Sequence, residues 1–364
     1  MDELFDDLAR VAPERRRGRG ACSNRAGRFD PGRVPADDGW GSAGDEGAVR
    51  REVTLDASRK VIARNESPDV PFDRSINPYR GCEHGCVYCF ARPTHAYLGL
   101  SPGLDFETRI LVKPDAAARL ERELGARSYR CAPIAMGTNT DPYQPIERER
   151  RVTREVLEVL SAWRHPVTIV TKGSSVTRDL DLLGEMGRAG LARVSVSLTT
   201  LDSRLSRRME PRAASPEARL RAIAALAKAG VPTGAMIAPI VPALTDHEIE
   251  TLLEAAARAG AQRADYVLLR LPGEVKALWQ EWLEAEFPDR AARVMGRVRE
   301  LRGGRENDPR FGARMRGEGV WAELIARRFR TAAGRLGLRR ELPALRTDLF
   351  RRPERAGDQL ALGL

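Results

Sequence analysis

The sequence predicts an α/β fold assembled from parallel βαβ units, on three observations. Six short apolar runs recur between residues 75 and 270, separated by longer stretches of helical period. Several of those stretches open on Ser, Thr or Asp and three close on Gly, as helix ends do. A 364-residue chain with 42% hydrophobic residues can also bury a sizeable core. Pattern alone leaves open whether the sheet is doubly wound or a barrel, complete or partial.

In chain order, residues 1–50 are rich in Gly, Arg, Asp and Ser, show no apolar period, and are expected to form a disordered N-terminal tail. A core domain is expected over 51–288. Its strands are expected at Ser75–Tyr79, Ala132–Gly137, Val167–Thr171, Arg193–Leu198, Thr233–Ile240 and Ala264–Arg270. Between them lie helical patterns such as "RRVTREVLEVLSAW", "TRDLDLLGEMGRAG", "SPEARLRAIAALAKAG" and "TDHEIETLLEAAARAG". A Trp-bearing helix, "EVKALWQEWLEAEF", follows Pro272. A basic helical extension is expected over 289–340, and a loop-like tail over 341–364.

The net charge of +10 is unevenly distributed. Between Asp289 and Arg355 stand 19 arginines against 9 acidic residues, while the rest of the chain is neutral. Such a segment suits a phosphate-bearing partner, so nucleic acid is an expected ligand of 289–355; an Arg-rich solvated helical face is the plainer reading. No run of eighteen apolar residues exists, which argues against a membrane helix. The N-terminus lacks a charged-then-apolar signal pattern, and a cytoplasmic location is expected.

Three of the five cysteines fall within eight residues, as Cys82-x3-Cys86-x2-Cys89, directly after the first strand. In a reducing compartment such spacing points to metal or redox chemistry rather than to disulfides. Three thiolates can hold three irons of a [4Fe–4S] cube whose usual complement is four cysteines, leaving one iron for another ligand. A structural zinc ion, with His84 or His95 as fourth ligand, is the alternative.

This motif, with Tyr88 before the last cysteine, resembles the radical S-adenosylmethionine (SAM) enzymes. "GTNTDPYQPIE", "TKGS", "VSVSLTTLD", "MEPRAASPEARLRAIAALAKAGVP" and "MIAPIVPALTD" resemble, in order, its spore photoproduct lyase-like branch, across about Phe72 to Leu271. The resemblance implies a partial (β/α)6 TIM-type barrel. It also implies a [4Fe–4S] cluster on Cys82, Cys86 and Cys89, whose open iron is chelated by SAM. The reduced cluster then cleaves SAM to a 5′-deoxyadenosyl radical, with an electron donor such as flavodoxin or ferredoxin.

It further implies cofactor contacts. Tyr88 would lie near the adenine, Asn139, Thr140 and Asp141 would receive the methionine ammonium, and Lys172 would pair with its carboxylate. Ser195 and Ser197 alternate on one strand and are expected to face the barrel interior, with Ser197 near the ribose and Ser195 packing. Ile237–Pro239 would line the adenine, and Glu210 is a candidate anchor of the barrel.

The substrate does not follow from fold and cofactor. The lyase carries a cysteine near its "TD" segment; here that region reads "MGTNTD", and Cys131 stands about 20 Å away at the other end of the strand. Action on nucleic acid is therefore one expectation and modification of a protein or small metabolite another, with a non-catalytic zinc or iron–sulfur protein third. The last six residues, Gln359–Leu364, have the form Q-L-x-L-x-L and resemble the peptide with which bacterial proteins dock on the replication sliding clamp.

Overall fold

The computed structural model describes residues 10–14, 16–29, 49–339 and 341–353; Gln359–Leu364 lies outside them. The strands are β1 (Glu52–Leu55), β2 (Ile62–Arg64), β3 (Arg74–Ile76), β4 (Tyr79–Arg80), β5 (Arg109–Val112), β6 (Ile134–Met136), β7 (Val167–Thr171), β8 (Ala192–Ser197), β9 (Thr233–Ile240) and β10 (Arg263–Leu268). The longer helices are α1 (Ala116–Leu124), α2 (Val152–Ala162), α3 (Leu180–Arg188), α4 (Ser203–Met209), α5 (Pro216–Lys228), α6 (Ile249–Arg258), α7 (Val275–Glu286), α8 (Pro288–Glu300) and α9 (Val320–Arg335).

Seven strands form one sheet in the order β10-β9-β8-β7-β6-β3-β2. The six from β10 to β3 run parallel, while β2 pairs antiparallel with β3. Since β10 and β2 do not pair with each other, the barrel stays open, the partial form the sequence motifs implied. The first expected strand is interrupted: β3 ends at Ile76, and Tyr79–Arg80 turns away to join β5 and β1 in a separate three-stranded sheet. Pro78 explains the break, since its ring fixes φ and removes a ladder donor.

The helices owe their ends to local chemistry. Ser215 caps α5 by accepting the Ala218 N–H at 3.2 Å, with Pro216 at the first helical position. Asp202 caps α4 through the N–H groups of Arg204 and Leu205. The main core lies between sheet and helices, where Val194 and Val196 of β8 meet Ile223 and Leu226 of α5.

A second apolar cluster sits at the C-terminal ends of the strands and joins Cys86, Val87 and Tyr88 to Trp279 and Trp282 of α7 and to Val294 and Val298 of α8. Leu301, Ile325 and Phe329 of the basic extension belong to the main core, so the extension packs on the barrel. No helix among the described residues is long and apolar enough to cross a membrane.

The expectation of disorder over 1–50 does not extend to residues 16–29, which are packed against the barrel. Ala21 and Ser23 are fully buried there. The Gly20 and Ala21 N–H groups donate to the buried Glu107 carboxylate at 2.9 and 2.8 Å. Asn24 exchanges two side-chain bonds of 3.0 Å with Asp105, through its backbone N–H and its carboxylate. The segment lacks an apolar period because polar groups hold it, so period-reading could not find it.

Candidate active site

The chain between β4 and the Arg92–Thr94 turn carries the three cysteines, at the face where the parallel strands end. All are free thiols; Cys82 and Cys86 are buried and Cys89 is partly so. Burial raises each thiol above its ordinary value, and neighbouring thiols raise Cys82 and Cys86 further. Against that act the backbone at Asp141, which lowers Cys82, and the backbone at Ala91 together with the Arg92 and Lys172 charges, which lower Cys89. The positive charges of Lys172 and Arg219 act on Cys86 in the same direction.

Polar side chains fix the loop from two sides. Gln144, fully buried, accepts the Glu83 N–H at 2.8 Å and donates to Thr140 Oγ1 at 2.8 Å and to the Gly81 carbonyl at 3.3 Å. Thr140 Oγ1 donates to that carbonyl at 2.6 Å. On the other side, Arg92 Nε donates to the Cys86 carbonyl at 3.0 Å while Nη2 pairs with Glu107 at 2.5 Å, both side chains fully buried. Gln144, Arg92 and Glu107 had no signal in the sequence beyond being polar residues near the motif.

The loop after β6 begins with Gly137, at φ +86°, where a Cβ would stand 1.9 Å from the Val170 carbonyl oxygen. No other residue fits so close to the neighbouring strand. Asp141 follows, its Oδ1 accepting Thr171 Oγ1 (2.6 Å) and the Tyr143 N–H (2.9 Å). Its Oδ2 accepts the Lys172 N–H (2.7 Å) and lies 3.4 Å from His84 Nδ1. Burial would raise this carboxyl, but His84 and these donors hold it down at about 2. Asp141 thus ties the ends of β6 and β7 to the cysteine loop. Asn139 is exposed, its N–H on Asn77 Oδ1 at 3.1 Å.

Tyr88 is buried, and its hydroxyl donates to Glu210. Glu210 also accepts Thr199 Oγ1 at 2.7 Å and pairs with Arg219, which is itself buried and donates to the Ser197 carbonyl at 3.1 Å. Burial pushes Glu210 up, while Arg219 and Lys172 hold it down at about 2. Glu210 is therefore an anchor: it joins the cysteine loop to the ends of β8 and α5. Arg219, mid-helix in "PEARLRA", looked like one more arginine in an Arg-rich chain.

Lys172 follows directly on β7 with its ammonium 5.8 Å from the Tyr88 ring centroid, and makes no ion pair among the described residues. Ser197 is buried and Ser195 partly exposed on β8; the register lines Ser195 up with Val170 and Gly234, and Ser197 with Met236. Val194 and Val196 lie in the core shared with α5, so the serines face the other side, the barrel interior. Ile237–Pro239 ends β9, with the Ala238 carbonyl accepting Thr199 Oγ1 at 3.2 Å. The structure thus gathers Tyr88, Lys172 and Glu210 beside the three thiols.

Of the two histidines weighed as zinc ligands, His84 faces Asp141 at 3.4 Å, and His95 Nε2 lies 3.0 Å from the Arg109 carbonyl, with burial lowering its pKa to about 4. Among the described residues no three His, Cys, Asp or Glu side chains converge on a point that one metal ion could occupy. Cys131 is remote, beyond the start of β6.

Fold and site together define a partial-barrel enzyme with a trio of free thiols at the mouth, two of them buried. The chain belongs to the radical SAM superfamily, whose family model matches residues 76–256. That family implies an iron–sulfur cluster and SAM as cofactors. A protein of Mycobacterium tuberculosis (strain ATCC 25618 / H37Rv) is 40% identical over 244 residues, covering 66% of this chain and 71% of the relative. A radical SAM Nα-GlyT isomerase of Pseudomonas phage M6 is 26% identical over 186 residues, 50% of this chain and 36% of that one. Among solved structures, a variant of spore photoproduct lyase superposes with a TM-score of 0.55 at 20% identity, over 78% of each chain. That likeness establishes the shared fold.

Proposed function

We propose that the protein holds a [4Fe–4S] cluster on Cys82, Cys86 and Cys89, binds SAM beside it, and acts on a nucleic acid. The observation that carries this reading is the set of three free thiols on one braced loop at the strand ends, two buried and one partly so, with the positive charges of Lys172 and Arg219 acting on Cys86. Positive charge beside the loop favours the anionic sulfur that iron requires.

When bound, the reduced cluster and SAM together supply a 5′-deoxyadenosyl radical. The chain's own residues prepare the site for it. The Glu210–Arg219 pair holds Tyr88 in one orientation at the loop. The Lys172 ammonium offers a positive charge to the methionine carboxylate, and Asn139 offers an exposed side-chain amide at the end of β6. Ser197 gives the interior a small polar wall for the ribose. A flavodoxin or ferredoxin is the electron donor this chemistry calls for.

Nucleic acid as substrate is supported by the relatives: one spore photoproduct lyase structure of the same fold carries a dinucleoside spore photoproduct. The test is anaerobic reconstitution followed by reduction with SAM and a specifically deuterated oligonucleotide. Iron, sulfide and 5′-deoxyadenosine should appear, with deuterium in the 5′-deoxyadenosine. An iron-free protein sinks the cofactor assignment; cleavage without deuterium transfer from any nucleic acid sinks the substrate class. Lys172→Ala should weaken SAM binding by roughly ten-fold, about 1.4 kcal/mol, with iron content unchanged.

A further inference from the structure

The arginine excess of residues 289–355 marked that extension as the expected nucleic-acid surface, but the structure engages many of those side chains internally. Arg299 pairs with Glu306 at 2.6 Å, Arg310 with Asp308 at 2.6 Å, Arg316 with Asp265 at 2.6 Å and Arg328 with Glu250 at 2.6 Å. Arg302 is buried and donates to the Leu269 and Ala313 carbonyls.

A different basic surface lies beside the cysteine loop. Two hollows, of about 420 and 440 Å³, flank the C-terminal half of α4 and share Arg208 as a common wall. One is lined by Arg204, His247, Phe287 and Arg290, the other by Arg16, Arg17, Arg19 and Arg207. Of the acidic residues that line them, only Glu286 is neutralised by a cation. Asp202 and Glu248 are bonded to neutral donors and keep their charge, yet arginines outnumber carboxylates in each hollow. Asp202 caps α4, Glu248 accepts the Thr200 hydroxyl and the Leu201 N–H, and Glu286 pairs with Arg208. Arg17, Arg204, Arg207 and Arg290 are exposed and make no ion pair among the described residues. Arg19 donates only to the Glu107 and Val49 carbonyls, so its charge is not neutralised by a bonded carboxylate.

The track is continuous with the site. The Met209 carbonyl accepts the Val87 N–H at 3.1 Å, and the Arg212 N–H donates to the His84 carbonyl at 3.2 Å, so α4 leads straight onto the cysteine loop. Guanidinium forks match phosphate oxygens two at a time. Two successive hollows joined at one arginine suit a ligand with repeated anionic groups, and the Phe287 ring, with Arg208 stacked on it at 3.9 Å, adds a flat face at the wall.

We propose that this track, formed by residues 16–19 and α4 with Arg290 at the very start of the extension, is where the phosphodiester backbone of the nucleic-acid substrate lies, in place of the rest of the C-terminal extension. The proposal rests on the nucleic-acid reading above and assigns its surface.

The test is fluorescence anisotropy of a labelled single-stranded DNA oligonucleotide with the reconstituted full-length protein at several salt concentrations. Arg17→Glu/Arg207→Glu is compared with Arg327→Glu/Arg330→Glu, which makes the same charge change on an exposed face of the extension. The first pair should lose at least tenfold more affinity and show a shallower salt slope, by roughly 0.7 per phosphate contact removed. Arg17→Lys/Arg207→Lys should keep most of that slope, and iron content should be unchanged in all three. Equal losses from the two glutamate pairs, or a larger loss from the extension pair, overturn the track while leaving the nucleic-acid reading intact. A wild-type protein that binds no oligonucleotide overturns that reading itself. Displacement of the oligonucleotide by polyglutamate at equal charge overturns the assignment to phosphodiesters.

Discussion

The cysteine loop and the N-terminal strap over residues 16–29 lie against each other, yet they are encoded in opposite ways. The loop carries its chemistry in a local spacing that any reader of the chain can see. The strap carries its order in partners far along the sequence: Glu107 for Gly20 and Ala21, Asp105 for Asn24, Glu281 for Ser23 at 2.7 Å. Gly20 packs so tightly on the loop that a Cβ there would stand 1.9 Å from the Gly85 carbonyl oxygen. A motif announces a site, whereas the material that closes the site over is specified only by the fold.

The largest expected effect tests the loop's half of that contrast. Cys82→Ala, Cys86→Ala and Cys89→Ala should each abolish iron retention and SAM cleavage, measured as iron and sulfide per chain and as 5′-deoxyadenosine formed. Any one of the three that keeps a full complement of iron would remove that cysteine from the ligand set and break the comparison at its stronger end.

Next comes the buried pair behind the loop. Glu210→Gln leaves the Arg219 charge buried without its partner, and the expected loss is about 3–5 kcal/mol in urea unfolding at neutral pH. The pH dependence has a definite sign. Glu210 is held at about 2 against an ordinary 4.5, so its stabilisation is complete above pH 4.5 and is lost as pH falls toward 2. The gap between wild type and variant should therefore be widest at neutral pH and narrow in acid. A gap independent of pH would show that Glu210 acts through its shape alone.

How far the sequence could be read follows the same division. The βαβ alternation, the strands at Val167–Thr171 and Thr233–Ile240, and the cysteine spacing were legible because each is a short-range pattern. The strand expected at Ser75–Tyr79 breaks because Pro78 intervenes, a local rule that the apolar run concealed. Strands β1, β2 and β5 were missed: each is only three or four residues, and β1 and β2 are half-exposed or exposed, leaving little apolar signal. Arg219, Gln144, Arg92 and Glu107 were illegible because burial, which gives a polar residue its role, is a property of the fold. The charge excess of the extension was legible but the pairing within it was not, since ion pairs such as Arg316–Asp265 join residues about fifty positions apart.

A moderate effect tests the strap. Gly20→Ala should cost about 1–3 kcal/mol, because the new methyl group meets backbone that cannot move aside without shifting the loop. The loss should be local. Hydrogen exchange at the Gly20 and Ala21 amides should speed up while the strands of the barrel keep their protection. Amides as slow as in the wild type would mean that strap and loop have room between them, and the contrast of tight cover against local motif would fail.

The smallest effect decides what kind of cover the strap is. Cys22 lies on it, buried, in the apolar cluster that also holds Cys86 and borders Cys89, so the fold sets a fourth thiol in the same cluster as part of the loop. Four thiolates would be a full complement for a cube and would leave no iron for SAM. The surroundings of Cys22 argue against that role. Its sulfur accepts a bond from Arg16 Nη1 at 3.1 Å, and burial raises the thiol, with Arg16, Glu281, Glu286 and Glu107 as the charges acting on it. The loop thiols, by contrast, act on one another. Cys22→Ala should therefore cost about 1 kcal/mol from the lost packing of one sulfur atom and leave iron content and SAM cleavage unchanged. Iron lost together with SAM cleavage would make the strap a ligand donor. Iron lost with cleavage retained at reconstitution would make it a shield against cluster decay, and either result would end the separation between a loop that binds and a strap that covers.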